Sequence, residues 1–292
     1  MAVTLHRIEK SYPGFTLGPL DLEIEPGTVV GLVGPNGAGK TTTLNCIAGL
    51  VAADAGIVEI FGRLNRANDA AWKHDIGYVG ETHGFYKRWT AEQNLRAIGG
   101  LYSGWSEARV RRLIERFELP ANKRAADLSK GNRMKLSLVA ALGHAPRLLL
   151  LDEPTSGLDP LVRTEVLDVL WEVLEDGEAT ILYSTHVLSD IGRLADELVF
   201  LCDGGIAQRS EKDALSESWR RISFRLEAEE VALARVVDHQ RVRMEHQVIS
   251  SDHESTLEQL RELGAENIEE SRMSLDEIAV EILRSNRHVE TG

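Results

Sequence analysis

Residues 34–41 read Gly-Pro-Asn-Gly-Ala-Gly-Lys-Thr, and few stretches of eight residues restrict a fold as tightly. Every fixed position of G-x-x-x-x-G-K-[ST] is filled, the pattern of a loop that wraps a polyphosphate. Gly34, Gly37 and Gly39 let the backbone turn several N–H groups inward, with Pro35, Asn36 and Ala38 spacing them. The context such a loop requires is a buried strand before it and a helix after it, whose positive end adds to the amides. Thr28 to Val33 is an apolar, β-branched run that reads as the strand, and Thr42 to Leu50 reads as the helix. Lys40 would reach the β- and γ-phosphates, and the Thr41 hydroxyl would ligate Mg²⁺ with Thr42 beside it. A glycine-rich turn that binds nothing is the competing reading of the loop taken alone.

Composition narrows the class. The 292 residues suffice for a main domain with a good core plus a smaller appendage. A net charge of −13 argues against general nucleic-acid binding, which relies on Lys and Arg to neutralise phosphates. No apolar run approaches the ~18 residues that span a bilayer, and Met1 to Lys10 lacks the apolar centre of a secretory signal. Cys46 and Cys202 are too few for a disulfide framework, so a reducing cytosol is expected and both cysteines read as packing residues.

The hydrophobic period changes along the chain. Val3 to Glu9 and Phe15 to Ile24 read as strands separated at Pro13-Gly14, and Gly56 to Phe61 and Ile76 to Val79 as two more. Residues 90–145 turn helical. Thr90-Ala-Glu-Gln93 opens one helix with a capping box, Ser106-Glu-Ala-Arg109 opens a second, and Arg133 to Leu142 continues a third. Strands return at Leu148 to Leu151 and Ala179 to Ser184, followed by a hairpin at Asp203-Gly204-Gly205. Alternating strands and helices indicate an α/β fold with a largely parallel core, interrupted by a helical insertion. From about residue 217 the chain reads as a small α+β unit. It has strands at Ile222 to Leu226 and Val242 to Ile249, a helix at Thr256 to Leu263, and a capping box at Ser274-Leu-Asp-Glu277. That unit holds no catalytic constellation.

Leu148-Leu149-Leu150-Leu151-Asp152-Glu153 is an apolar strand ending in two carboxylates. Unbroken leucines suit a parallel strand buried on both faces, and its C-terminal end would open on the ligand crevice. Asp152 would hold Mg²⁺, and Glu153 would accept a proton from a water attacking the γ-phosphate.

The run Asp152-Glu-Pro-Thr-Ser-Gly-Leu-Asp159-Pro160 resembles the nucleotide-binding subunit of an ATP-binding-cassette (ABC) transporter. Leu128-Ser-Lys-Gly-Asn132 stands where that family has its signature Leu-Ser-Gly-Gly-Gln, Ser184-Thr-His186 matches the switch histidine, and Tyr12 matches the aromatic that stacks on adenine. The similarity covers roughly residues 1–215. It implies an α/β P-loop NTPase (RecA-like) core with an N-terminal antiparallel β subdomain and a helical subdomain at about 90–145. The nucleotide-binding domain would cover 1–216, and 217–292 would be an accessory domain.

By the same resemblance, ATP lies between the phosphate loop of one ATPase subunit and the signature of a second, in a homodimer or a heterodimer. Ser129 and Gly131 would donate hydrogen bonds to the partner's γ-phosphate. Asp159 would cross the interface or simply cap the helix that begins near Pro160. His186 would report the γ-phosphate. Two positions depart from the pattern. Glu81 replaces the usual Gln and brings a carboxylate that can still ligate Mg²⁺. Lys130 replaces a glycine and faces either the partner's phosphates or solvent. The Leu-Ser-Lys-Gly variant is similar to subunits of ABC-2-type small exporters, as is the tail at Ser274-Leu-Asp-Glu-Ile.

With no spanning segment, transmembrane permease subunits are expected as separate chains, and this chain as a peripheral protein on the cytoplasmic face of the membrane. Thr82 to Trp89, with three aromatics, would meet the permease or pack the helical subdomain, Phe85 being the residue best suited to packing. Two other classes fit less well. A soluble ABC-type switch acting on translation or DNA would show tandem cassettes or long coiled-coil insertions. A small-molecule kinase leaves the signature, Asp159 and His186 without a role.

Overall fold

In β1 (Val3–Tyr12) the buried residues are Val3, Leu5 and Ile8, so the two-residue alternation slips by one between Leu5 and Ile8. A β-bulge accounts for the slip: Arg7 adopts φ +47° and the pairing with β2 (Phe15–Ile24) shifts between Leu5 and Ile8. The computed structural model that shows this describes residues 1–65, 71–81, 84–175, 177, 179–227 and 232–287.

The chain continues through β3 (Val29–Val33), α1 (Lys40–Ile47), β4 (Ala55–Ile60), β5 (Arg63–Leu64) and β6 (Ile76–Val79). The helical insertion follows as α2 (Ala91–Gly99), α3 (Glu107–Arg116) and α4 (Lys130–Leu142). Its starts are capped as their sequences suggest. Thr90 and Gln93 form a reciprocal capping box, and Ser106 accepts from the Arg109 amide. Next come β7 (Leu148–Asp152), α5 (Pro160–Glu175), β8 (Thr180–Thr185), α6 (Leu188–Ile191), β9 (Glu197–Cys202), β10 (Gly205–Glu211) and α7 (Lys212–Ser218).

Two sheets form the main body. Strands order as β2-β1-β4-β5 in an antiparallel sheet, and as β10-β9-β3-β8-β7-β6 in a second sheet that is parallel except for β10. Leu148 to Leu151 are fully buried because both faces of the second sheet are covered. Each such leucine contributes about 1.5–3 kcal/mol of apolar burial. One face packs on the antiparallel sheet and α1 through Val30, Leu32, Leu44, Leu148 and Leu150. The other packs on the helical insertion, α5 and α6 through Leu149, Leu151, Val166, Leu170 and Leu188. The parallel register sets Val33 beside Thr185 and Asp152 beside Ser184, so the loops after β3, β7 and β8 leave the sheet at one edge.

The C-terminal unit is a sheet ordered β12-β13-β11-β14, with β11 (Arg220–Arg225), β12 (Val236–Val242), β13 (Glu245–Ser250) and β14 (Glu266–Arg272). Helix α8 (His253–Glu262) covers it through Leu257 and Leu260 on Ile222, Phe224 and Val248. The strand expected at Val242 to Ile249 starts only at Glu245, because Val242 ends β12 and a turn with Arg243 at φ +62° follows it. The last helix, α9 (Leu275–Arg287), leaves this unit and joins the main core through Ile278, Ala279 and Ile282.

Candidate nucleotide site

The loop between β3 and α1 is shaped by close backbone packing. A Cβ on Gly34 would stand 2.4 Å from the Leu201 carbonyl oxygen, and Gly39 holds φ +108° against Leu17. Ala38 is buried and its amide donates to the Pro35 carbonyl at 3.2 Å. Lys40 is buried, and its Nζ donates to the carbonyls of Gly34 at 2.7 Å and Pro35 at 3.2 Å. Asn36, Gly37, Thr41 and Thr42 line the cleft above, whose volume is about 670 Å³.

The two carboxylates sit differently. Asp152 is buried at the end of β7, and its Oδ1 accepts from the Ser184 hydroxyl at 2.7 Å and the Thr41 hydroxyl at 3.1 Å. Glu153 turns into the cleft at φ +50°, a strained conformation for a side chain of this size. Its amide is held by Ser184, donating to the hydroxyl at 3.0 Å and the carbonyl at 3.2 Å. Its Oε2 bonds His186 Nδ1 at 2.7 Å. Its Oε1 lies 3.2 Å from Lys40 Nζ and is buried without an aligned hydrogen bond among the described residues. Glu81, just beyond β6, lines the same cleft.

The arrangement suits a bound polyphosphate with water beside it. Among the described residues, no three His, Cys, Asp or Glu side chains cluster as a metal-holding group. The Thr41 hydroxyl bonded to Asp152, and Glu81 on the cleft wall, offer oxygen ligands, the type that Mg²⁺ takes together with phosphate oxygens and water.

Of the other residues singled out in the sequence, only Lys130 lines this cleft. Ser129 caps α4, accepting from the Asn132 amide at 3.2 Å. A Cβ on Gly131 would come within 3.1 Å of Val162, so the starts of α4 and α5 abut. Asp159 caps α5 through the amides of Leu161 and Val162, both at 3.1 Å. Tyr12 is exposed at the end of β1 with Lys10 Nζ 5.8 Å from its ring centre, while its neighbours Gly14 and Phe15 line the cleft. Lys130 also lines the cleft, its ammonium resting over Gly157. Of Thr82 to Trp89, Thr82 and His83 lie outside the described residues. Phe85 packs on the main core, whereas Tyr86 and Trp89 stay exposed with ring centres 4.5 Å apart.

One element had no sequence signal. The buried Thr155 hydroxyl, just past Glu153, meets Asp190 Oδ2 at 2.5 Å and the Tyr183 hydroxyl at 2.7 Å. Arg163 of α5 closes the group at 3.2 Å from Asp190 Oδ1. Burial pushes the Tyr183 phenol well above its usual range, so it is a neutral hydrogen-bonding group. These four residues are spread over β7–α5, β8 and α6 at no motif spacing.

Residues 17–156 match the family model described as "ABC transporter". The chain is 31% identical over 223 residues to the ABC transporter ATP-binding protein YtrB of Bacillus subtilis (strain 168), covering 76% of each protein. A solved "Structure of ATP binding subunit of ABC transporter" is similar over 74% of this chain and 92% of that one, with a TM-score of 0.67 and 30% identity. A dimeric post-hydrolysis state of the ATP-binding cassette MJ0796, bound to ADP and Pi, is similar over 72% of this chain and 98% of that one. Its TM-score is 0.66 and its identity 25%.

Proposed function

This chain belongs to the ATP-binding subunits of ABC transporters, and from that premise we propose how its residues divide the work. Membership makes it an ATPase that powers transport, working with membrane components and dimerising around ATP. Among the described residues no helix is long and apolar enough to cross a membrane. The pore, in this reading, is formed by separate permease subunits. Export is the direction we assign, on the resemblance of residues 128–132 and the tail. We assign the chain to the cytoplasmic face of the membrane.

The position of the Glu153 carboxylate carries the assignment of roles. It lies between Lys40 and His186, with one oxygen bonded to the imidazole and the other buried and free of an aligned donor. Glu153 accepts the proton as the oxygen of water bonds to the γ-phosphorus and the bond to the ADP oxygen breaks. Lys40 gives up its carbonyl contacts for the β- and γ-phosphates, whose remaining oxygens meet backbone amides of the loop beyond Pro35, which has none to offer. His186 orients Glu153 and senses the γ-phosphate. Thr41, Asp152 and Glu81 would hold Mg²⁺, which when bound offsets charge on the phosphates. Tyr12 stacks on adenine at the mouth of the cleft. Ser129, Gly131 and Asp159 lie beyond the chain's own cleft, and in this reading they serve ATP bound by the second ATPase subunit, with the α4 dipole behind Ser129.

The test is to tag the chain in its native cell and purify it after solubilisation in mild detergent. A polytopic membrane protein in the complex, with ATPase activity that depends on Glu153, is the expected result. Recovery from the soluble fraction alone, under conditions that keep complexes intact, would overturn the assignment of permease partners.

A further inference from the structure

Helix α6 cannot cap itself. Its N-cap residue is Val187, which has no side-chain acceptor. The acceptor comes from 88 residues away: the Leu188 amide donates to Asp276 Oδ1 at 2.9 Å. Asp276 is not needed to start α9, because Ser274 and Glu277 close that end in a reciprocal capping box. Glu277 is also paired with Arg221 of β11 at 3.1 Å, which ties the start of α9 to the C-terminal sheet. Ile278, Ala279 and Ile282 pack in one core with Leu188 and Ile191, and Leu275 reaches to 3.2 Å of where a Cβ on Gly192 would stand.

His186 lies directly before this junction. On the β8 side, the Thr185 hydroxyl accepts from the Val187 amide at 2.9 Å and donates to the Val187 carbonyl at 3.0 Å. On the far side, Asp276 holds the Leu188 amide. The backbone that carries the imidazole to Glu153 is thus fixed by one local residue and one from the C-terminal unit. We propose that Asp276 is a positioning residue for His186, through which the C-terminal unit sets the rate of ATP hydrolysis. The inference rests on the role assigned to His186 above.

The full-length chain, its Asp276→Ala, Asp276→Asn, Ser274→Ala and His186→Ala variants, and the Asp276→Ala/His186→Ala double variant would be compared by steady-state and single-turnover hydrolysis. Asn keeps an acceptor oxygen at the same reach. Ser274→Ala weakens α9 without touching Leu188. Asp276→Ala is expected to lower kcat about three- to tenfold with KM for ATP within about twofold, the signature of an interaction felt in the reaction rather than in binding. Asn should restore most of the rate, Ser274→Ala should leave it unchanged, and Asp276→Ala should add nothing in the His186→Ala background. A parental kcat in Asp276→Ala would overturn the proposal. So would a full additional loss in the double variant, or an equal loss in Ser274→Ala. A parental rate in His186→Ala would instead remove the role of His186 itself.

Discussion

Replacing Glu153 with Gln changes one atom's chemistry and little else. The amide keeps the length of the side chain and one oxygen that can still accept from His186 or Lys40, so the φ of +50° and the loop around it are retained. What is lost is the ability to take a proton. A positioned general base contributes about 10²–10⁴-fold, equivalent to about 2.7–5.4 kcal/mol of barrier. Lys40, whose ammonium now shares its charge with a carboxylate 3.2 Å away, becomes a freer cation toward phosphate. Nucleotide affinity should therefore hold or rise while turnover collapses. Titration calorimetry with ATP measures the first quantity and single-turnover release of the γ-phosphate the second. Hydrolysis within about tenfold of the parent would refute the base assignment. A collapse of affinity would refute it differently, by making Glu153 an anchor for Lys40 instead.

Lys40→Ala should weaken ATP binding about 10- to 100-fold, the range expected for losing a charged hydrogen bond, and an unchanged calorimetric affinity would contradict the phosphate-loop role. Glu81→Gln should raise the Mg²⁺ concentration needed for half-maximal hydrolysis and strengthen Mg²⁺-free ATP binding, because a negative charge leaves the cleft; an identical Mg²⁺ profile would exclude Glu81 from the metal's shell. Burial holds the imidazoles of His144 and His246 below the ordinary value near 6.5. The unfolded chain therefore binds these protons first, and stability is complete above about pH 6.5 and declines as pH falls below it. Urea unfolding at pH 7.5 and 5.5 should show that decline, and His246→Phe should reduce it; equal stability at the two pH values would contradict the direction.

How much of this could be read in advance depended on whether the signal was local. The phosphate loop, the four leucines and the capping residues Thr90, Ser106 and Ser274 act on neighbours within a few positions, so their spacing carries the information. Strand β14 gave no such signal. In Glu266–Arg272 only Ile268 is part of an apolar core, because an exposed edge strand needs little apolar alternation. The turn at Arg243 lacks glycine, asparagine and proline, so the expected strand began at Val242, across the turn, and most of β12 was not read as a strand. The contacts of Asp276 with Leu188 and of Thr155 with Asp190 join residues with no fixed spacing, and only the folded chain brings them together.

The buried meeting of Thr155, Tyr183, Asp190 and Arg163 also bears on how the molecule can respond. Its members come from the turn behind Glu153, the strand before His186, the short helix after it, and the helix that Asp159 begins. A rivet through four plates forbids any one plate from sliding alone. A push that arrives at the carboxylate, at the imidazole or at the Asp159 face must then be felt at the other two, and the edge of the sheet behaves as a single lever.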